Sequence, residues 1–195
     1  MPKSDVATRQ HLLDTAQRIM AKKGFSAVGL AEILGEAGVP KGSFYHYFKS
    51  KDAFGEALMQ SYFDEYLGSI DRLSEMREVD ASERIMEYWQ RFYNLQSSDQ
   101  FQGKCLVVKL ASEVSDLSEA MRKALVAGTA GIVDRLERMI RDGIEDGSIT
   151  VDGPPRASAE SLYDAWLGAS VMAKIQRNEV SLDRVLANTR AHLHL

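Results

Sequence analysis

One stretch constrains the fold more than any other: residues 26–52, SAVGLAEILGEAGVPKGSFYHYFKSKD. Leu30, Ile33 and Leu34 recur at helical spacing, which gives a first short helix one apolar face. Glu36-Ala37-Gly38 closes it, because Gly38 can take the left-handed backbone that ends helices. Pro40 stands where the next helix opens, since the N–H it lacks is not needed in a first turn. Phe44 and Phe48 then lie four apart on one face, which leaves Lys41, Ser43, Tyr45 and His46 to point elsewhere. Two short helices crossing at a Gly-containing turn form a helix-turn-helix, whose second helix can enter the DNA major groove.

The run Gly38-Val39-Pro40-Lys41-Gly42-Ser43-Phe44-Tyr45-His46-Tyr47-Phe48-Lys49-Ser50-Lys51 resembles the signature of the tetracycline-repressor (TetR) family of bacterial transcriptional regulators. The likeness is ungapped and extends in pattern over about the first 60 residues. It departs from the family at Pro40, where Ser or Thr is common, and so lacks one hydroxyl able to reach a phosphate.

Composition fits an all-α protein. The 195 residues can bury a sizeable core, Gly and Pro number only 14 and 4, and long stretches are rich in Ala, Leu, Glu, Arg and Met. A single Cys excludes an intrachain disulfide and suits a reducing cytoplasm. No signal peptide or membrane-spanning run is expected. The formal charge of −4 argues against nucleic acid until its distribution is read. Residues 1–60 hold eight Lys/Arg against six Asp/Glu, and the remainder 16 against 22, so a mildly basic head precedes an acidic body.

About nine helices and no strands are expected. A first helix spans 5–23 and is stopped by Lys22-Lys23-Gly24, with Phe25 plugging the head. A long helix begins at Ser50, a good N-cap, and runs to about 77. Helices then follow at 82–95 (broken by Ser97-Ser98-Asp99), at 105–114, from a cap at Asp116-Leu117-Ser118-Glu119 to Gly147, at 158–176, and from about Ser181. This divides the chain into a helix-turn-helix domain at 5–51, a linking helix at 50–77, and a regulatory and dimerisation domain at 78–195.

The family resemblance implies roles in DNA binding for Val28, Gly29, Lys41, Gly42, Ser43, Tyr45, His46, Lys49 and Lys51. Gly42 would let the helix approach the bases, Ser43 would touch a base edge, and Tyr45 and His46 would touch phosphates. The alternatives are plain ones: Phe44, Tyr47 and Phe48 as core, His46 as a surface residue, Lys22 and Lys23 as helix-end charges. A single small head offers little area against the roughly 1,000–2,500 Å² of specific DNA interfaces. A homodimer on a palindromic operator is therefore expected, joined through helices near 158–176 and 181–193, with Leu182, Val185 and Leu186 on its surface.

In the body, Gly103-Lys104-Cys105-Leu106-Val107-Val108-Lys109-Leu110, residues 112–119, Trp166-Leu167-Gly168-Ala169 and Lys174 resemble one branch of the family. That branch controls N-ethylmaleimide reductase and responds to electrophiles and oxidants. The chemistry can be argued separately. Cys105 stands at a helix start beside Lys104, with Lys109 one turn on, and both features favour thiolate. Lys174 is a charge within an apolar helix and would gain from pairing with it. Against this stand a Cys105 that is merely a small buried hydrophobe and a Lys174 that snorkels to solvent. A second ligand reading is an aromatic pocket of Trp89, Phe92, Tyr93, Phe101, Tyr163 and Trp166 for an apolar small molecule.

Catalysis is the rival from another class. A Cys nucleophile needs a His base, and the four His stand at 11, 46, 192 and 194, in the head and tail. His192 and His194 lack the spacing of a helical metal pair, and no metal, cofactor or phosphate loop is expected. A nonspecific DNA coater is disfavoured by the acidic body.

Overall fold

The computed structural model describes residues 3–101 and 105–195, with side chains at 3, 4 and 99–101 set aside. Among the described residues there are nine helices and no strand: α1 (Lys3–Lys23), α2 (Leu30–Ala37), α3 (Lys41–Tyr47), α4 (Lys51–Ser74), α5 (Ala81–Phe101), α6 (Leu106–Leu117), α7 (Glu119–Asp146), α8 (Pro155–Gln176) and α9 (Val180–His192).

Local signals account for most boundaries. Gly24, Gly38 and Gly147 end α1, α2 and α7 with φ of 92°, 64° and 78°. The Ser50 hydroxyl accepts from Ala53 N–H and the Ser118 hydroxyl from Met121 N–H, so both act as N-caps. Three boundaries differ from expectation. Pro40 is the extended N-cap of α3 rather than its first residue, and its carbonyl accepts from Ser43 N–H. α4 stops at Ser74, because Arg84 reaches back from α5 and donates to the carbonyls of Met76 and Val79, holding that connection out of helix. α5 runs straight through Ser97-Ser98-Asp99. The two hydroxyls donate to the carbonyls of Asn94 and Leu95 within the helix and do not compete for the N–H groups that sustain it.

The chain packs as two compact units, Met1–Glu65 with Lys104–Gly128, and Tyr66–Gly103 with Thr129–Leu195. The packing therefore groups α6 and the start of α7 with the head, whereas the sequence suggests a division at 77/78. In the first unit α6 packs on α1, and Phe44, Phe48 and Phe54 cluster with ring centroids 4.8–5.3 Å apart. Gly128 of α7 admits the Phe63 ring against its bare Cα. In the second unit α8 packs on α9 and α5. Its centre is Trp89 stacked on Trp166 at 5.0 Å, with Trp166 Nε1 donating to Thr189 Oγ1 at 2.9 Å.

Candidate nucleic-acid interface

The helix-turn-helix is built from α2, a turn at Gly38, and α3. Val39 N–H reaches the Leu34 carbonyl at 3.0 Å across the left-handed Gly38, which closes α2 sharply. His11 of α1 bonds the Ala37 carbonyl through Nε2 at 3.1 Å, bracing that end of α2. Phe44 and Phe48 are buried, which turns the other face of α3 outward. Lys41, Gly42, Tyr45 and His46 are exposed, as is Lys49 just beyond, and Ser43 is half-buried. A Cβ built on Gly42 would meet nothing within 4 Å, so the helix presents bare backbone there. Gly29, the extended N-cap of α2, is likewise open to solvent.

Two of the expected DNA contacts are placed otherwise. Val28 is 0% exposed, so its side chain belongs to the head's core and cannot touch DNA. Lys51 turns inward: its Nζ donates to the carbonyls of Val28 at 2.9 Å and Phe25 at 3.3 Å and lies 4.8 Å from the centre of the Phe25 ring. Those carbonyls belong to the connection between α1 and α2, where no helix partner is available, and an ammonium satisfies both.

The same connection is gripped by an anion. Glu113 of α6 accepts from Phe25 N–H at 3.0 Å and Ser26 N–H at 2.6 Å. Burial works to raise its pKa, but bonds from the Ser26 hydroxyl and N–H and from Phe25 N–H, with Lys109 nearby, outweigh it and hold the carboxyl below its ordinary value. Sequence reasoning missed this residue, because its partners lie 87 and 88 positions away.

Cys105 is the N-cap of α6 and is 3% exposed, with Tyr62 Oη donating to its Sγ at 3.7 Å. Tyr62 is a further contact that no local signal announced. Gly103 and Lys104 lie outside the described residues. Lys174 sits half-buried on α8, in the second unit.

The expected pocket aromatics pack against one another. Trp89, Phe92, Tyr163 and Trp166 are buried, and both Trp89 and Phe92 contact Trp166, at 5.0 and 5.6 Å. Tyr93 is only partly buried. Burial and its 2.8 Å bond to Asp183 push its hydroxyl well above the ordinary phenol range. The Phe101 side chain lies outside the described residues. Among the described residues, no group of His, Cys, Asp and Glu is placed to hold a metal ion, and no helix is long and apolar enough to cross a membrane.

On α8, Gly168, Val171, Met172 and Ile175 form an exposed stripe at helical spacing, with Ile175 68% exposed. Leu182 and Val185, expected at a dimer surface, are instead buried within the chain, and Leu186 is half-buried. α9 spends its apolar face on its own fold.

This geometry agrees with known sequence families. Residues 12–58 match the model of bacterial regulatory proteins of the tetR family, and residues 81–189 match that of the tetracyclin repressor-like C-terminal domain. The chain belongs to the TetR family. It is 40% identical over 183 residues to the HTH-type transcriptional repressor NemR of Escherichia coli K12, covering 94% of this chain and 92% of that protein. It is also 34% identical over 178 residues to the repressor DhaR of Mycobacterium sp. GP1, covering 91% and 88%. The crystal structure of E. coli NemR in its reduced form superposes with a TM-score of 0.90 at 41% identity, covering 95% of this chain and 96% of that one. The chain is accordingly a DNA-binding transcriptional repressor of the TetR family and not an enzyme. Regulators of this family bind DNA operators and act as dimers.

Proposed function

We propose that this repressor binds a palindromic operator as a homodimer, with α3 of each copy in the major groove, and leaves it when an electrophile or oxidant modifies Cys105. The observation that carries the DNA reading is the two-faced α3, with Phe44 buried and Lys41, Gly42, Tyr45 and His46 outward. Lys41, Lys49, Tyr45 and His46 would hold phosphates, Ser43 and the backbone at Gly42 would meet base edges, and Gly29 would lie where α2 crosses the DNA backbone. The apolar stripe of α8, beside α9, would join the copies, since burying Val171, Met172 and Ile175 against their equivalents removes them from water. Such a repressor would act in the cytoplasm, where its operator DNA lies.

The thiol reading is supported by the site of Cys105. Its sulfur stands at the N-terminus of α6 and accepts a hydrogen bond from the Tyr62 hydroxyl at 3.7 Å, the kind of surrounding in which thiols react. It is supported also by a relative, NemR, that has been crystallised in a reduced form. With N-ethylmaleimide the sulfur adds to the alkene, a proton ends on the adjacent carbon, and no group leaves. Operator DNA from upstream of this chain's own gene, titrated by fluorescence anisotropy, tests it. Treatment with N-ethylmaleimide should abolish binding by the wild type and spare Cys105→Ser; equal release of both would discard the thiol switch.

A second reading, a non-covalent apolar inducer among the aromatics, is favoured by one observation. Trp89 Nε1 and Gln96 Nε2 are buried donors on α5 without a partner among the described residues, and a ligand carbonyl would satisfy such groups. Release of the Cys105→Ser protein by an apolar carbonyl compound that cannot alkylate would establish it.

A further inference from the structure

The connection that feeds the helix-turn-helix, Gly24 to Gly29, carries backbone groups that no helix satisfies. Two charged side chains take four of them, and the Phe25 carbonyl also accepts from Val28 N–H at 3.4 Å. The Lys51 ammonium, at the start of α4, takes the carbonyls of Phe25 and Val28. The Glu113 carboxylate, on α6, takes the N–H groups of Phe25 and Ser26. Phe25 is thus held through its carbonyl by one helix and through its N–H by another. The fit is close, for Gly24 has φ of 92° and a Cβ there would come within 3.1 Å of Glu113 Oε2.

The two braces differ in where they are anchored. Lys51 begins the helix that directly follows the helix-turn-helix. Glu113 lies eight residues beyond Cys105, roughly 12 Å along the α6 axis. α6 also packs on α1, whose end is the start of the gripped connection. One short helix therefore carries the buried thiol at its first turn and the grip on the reading head at its third. A carboxylate holding two N–H groups tolerates little displacement, because hydrogen bonds weaken steeply as distance and angle degrade.

We infer that Glu113 is the positioning residue through which α6 sets the helix-turn-helix, so that its grip on Phe25 and Ser26 must be closed for operator binding. Use of this grip by an inducer rests on the Cys105 reading above; the need for it in the reduced protein does not.

The test is Glu113→Gln in the full chain. Glutamine keeps the shape and one acceptor but turns an NH2 toward the second N–H. Operator affinity of the reduced variant should fall at least about tenfold, the change expected when a hydrogen bond to a charged group is lost. Helix content by circular dichroism, dimer mass and the salt slope of binding should be unchanged, since no phosphate contact is removed. Amide exchange at Phe25 and Ser26 should quicken by at least about tenfold. It should quicken likewise in wild type treated with N-ethylmaleimide, and the same treatment should add little to the loss already present in E113Q. Should E113Q fail to fold, Glu113→Asp, with a shorter reach, gives the same comparison. Operator binding within about twofold of wild type despite fast exchange would overturn the inference and leave Glu113 a structural cap. Release of treated wild type with Phe25 and Ser26 still protected would overturn the use of the grip by the inducer. No release at all would overturn the Cys105 reading, and the variant's operator affinity would still decide the role of Glu113.

Discussion

Lys51→Met separates the two roles open to that lysine. The family resemblance makes it a phosphate contact; the structure makes it a brace, with Nζ 2.9 Å and 3.3 Å from two backbone carbonyls and 4.8 Å from the Phe25 ring centre. Methionine keeps the apolar stem and removes only the ammonium. Hydrogen bonds from a charged group are worth about 1.5–3 kcal/mol each, and here one is long and the site half-exposed, so about 2 kcal/mol in total is expected. For a chain of this size that lowers Tm by about 4–8 °C, readable by scanning calorimetry of the reduced protein. Operator binding should retain its salt dependence, because each lost phosphate contact would reduce the slope of log K against log salt by about 0.9 per head. A slope reduced by that amount with Tm unchanged would refute the brace and restore the phosphate contact.

Gly128→Ala should lower Tm by about 6–12 °C, since its new Cβ would fall among the Phe63 ring atoms and overpacking of this kind costs about 3 kcal/mol. Gly42→Ala should leave Tm unchanged or slightly raised, because a Cβ there meets nothing, and yet weaken operator binding in anisotropy titrations if the bare backbone approaches the bases as proposed. Ile175→Asp should shift sedimentation at micromolar protein from dimer to monomer with helix content retained; a dimer that persists would move the interface away from the α8 stripe. The Glu113 carboxyl is depressed in the folded state, so its stabilisation is present above its ordinary value of 4.5 and lost as pH falls through the folded value. Wild type should therefore lose more stability than Glu113→Gln when acidified from about pH 5 to about pH 3, measured by urea denaturation.

The helix-turn-helix was legible because its determinants are local. Gly38, Ser50 and Ser118 act on backbone groups within a few positions, and type and spacing suffice to read them. The signals that failed were also local but two-sided. Ser97 and Ser98 break a helix if their hydroxyls compete for N–H groups and leave it intact if they return to carbonyls three residues back, as they do. Apolar periodicity has the same ambiguity at larger scale. It gives α8 and α9 an apolar face each without saying whether the chain or a second copy covers it. The answer is opposite for Val185, which is buried, and Ile175, which is exposed. Glu113 stood only within the branch resemblance at 112–119, and its contact could not be read, since nothing about a Glu on a helix announces two N–H groups 87 and 88 residues away.

Charge shows most clearly why counting residues stops short of a site. The head's excess of two positive charges suggests a surface prepared for phosphate. Within the folded head, Arg18 pairs with Glu36 at 3.0 Å, Lys23 pairs with Glu32 at 2.6 Å, and Lys51 is directed into the α1–α2 connection. Arg9 lies over the Phe48 ring. These cations support the helix-turn-helix from within and beside it, while Lys41 at the start of α3 and Lys49 just past its end are exposed. Net charge alone therefore says little about which cations are left for phosphate; that depends on where α1, α2 and α4 bring the acidic groups and carbonyls that engage Arg18, Lys23 and Lys51.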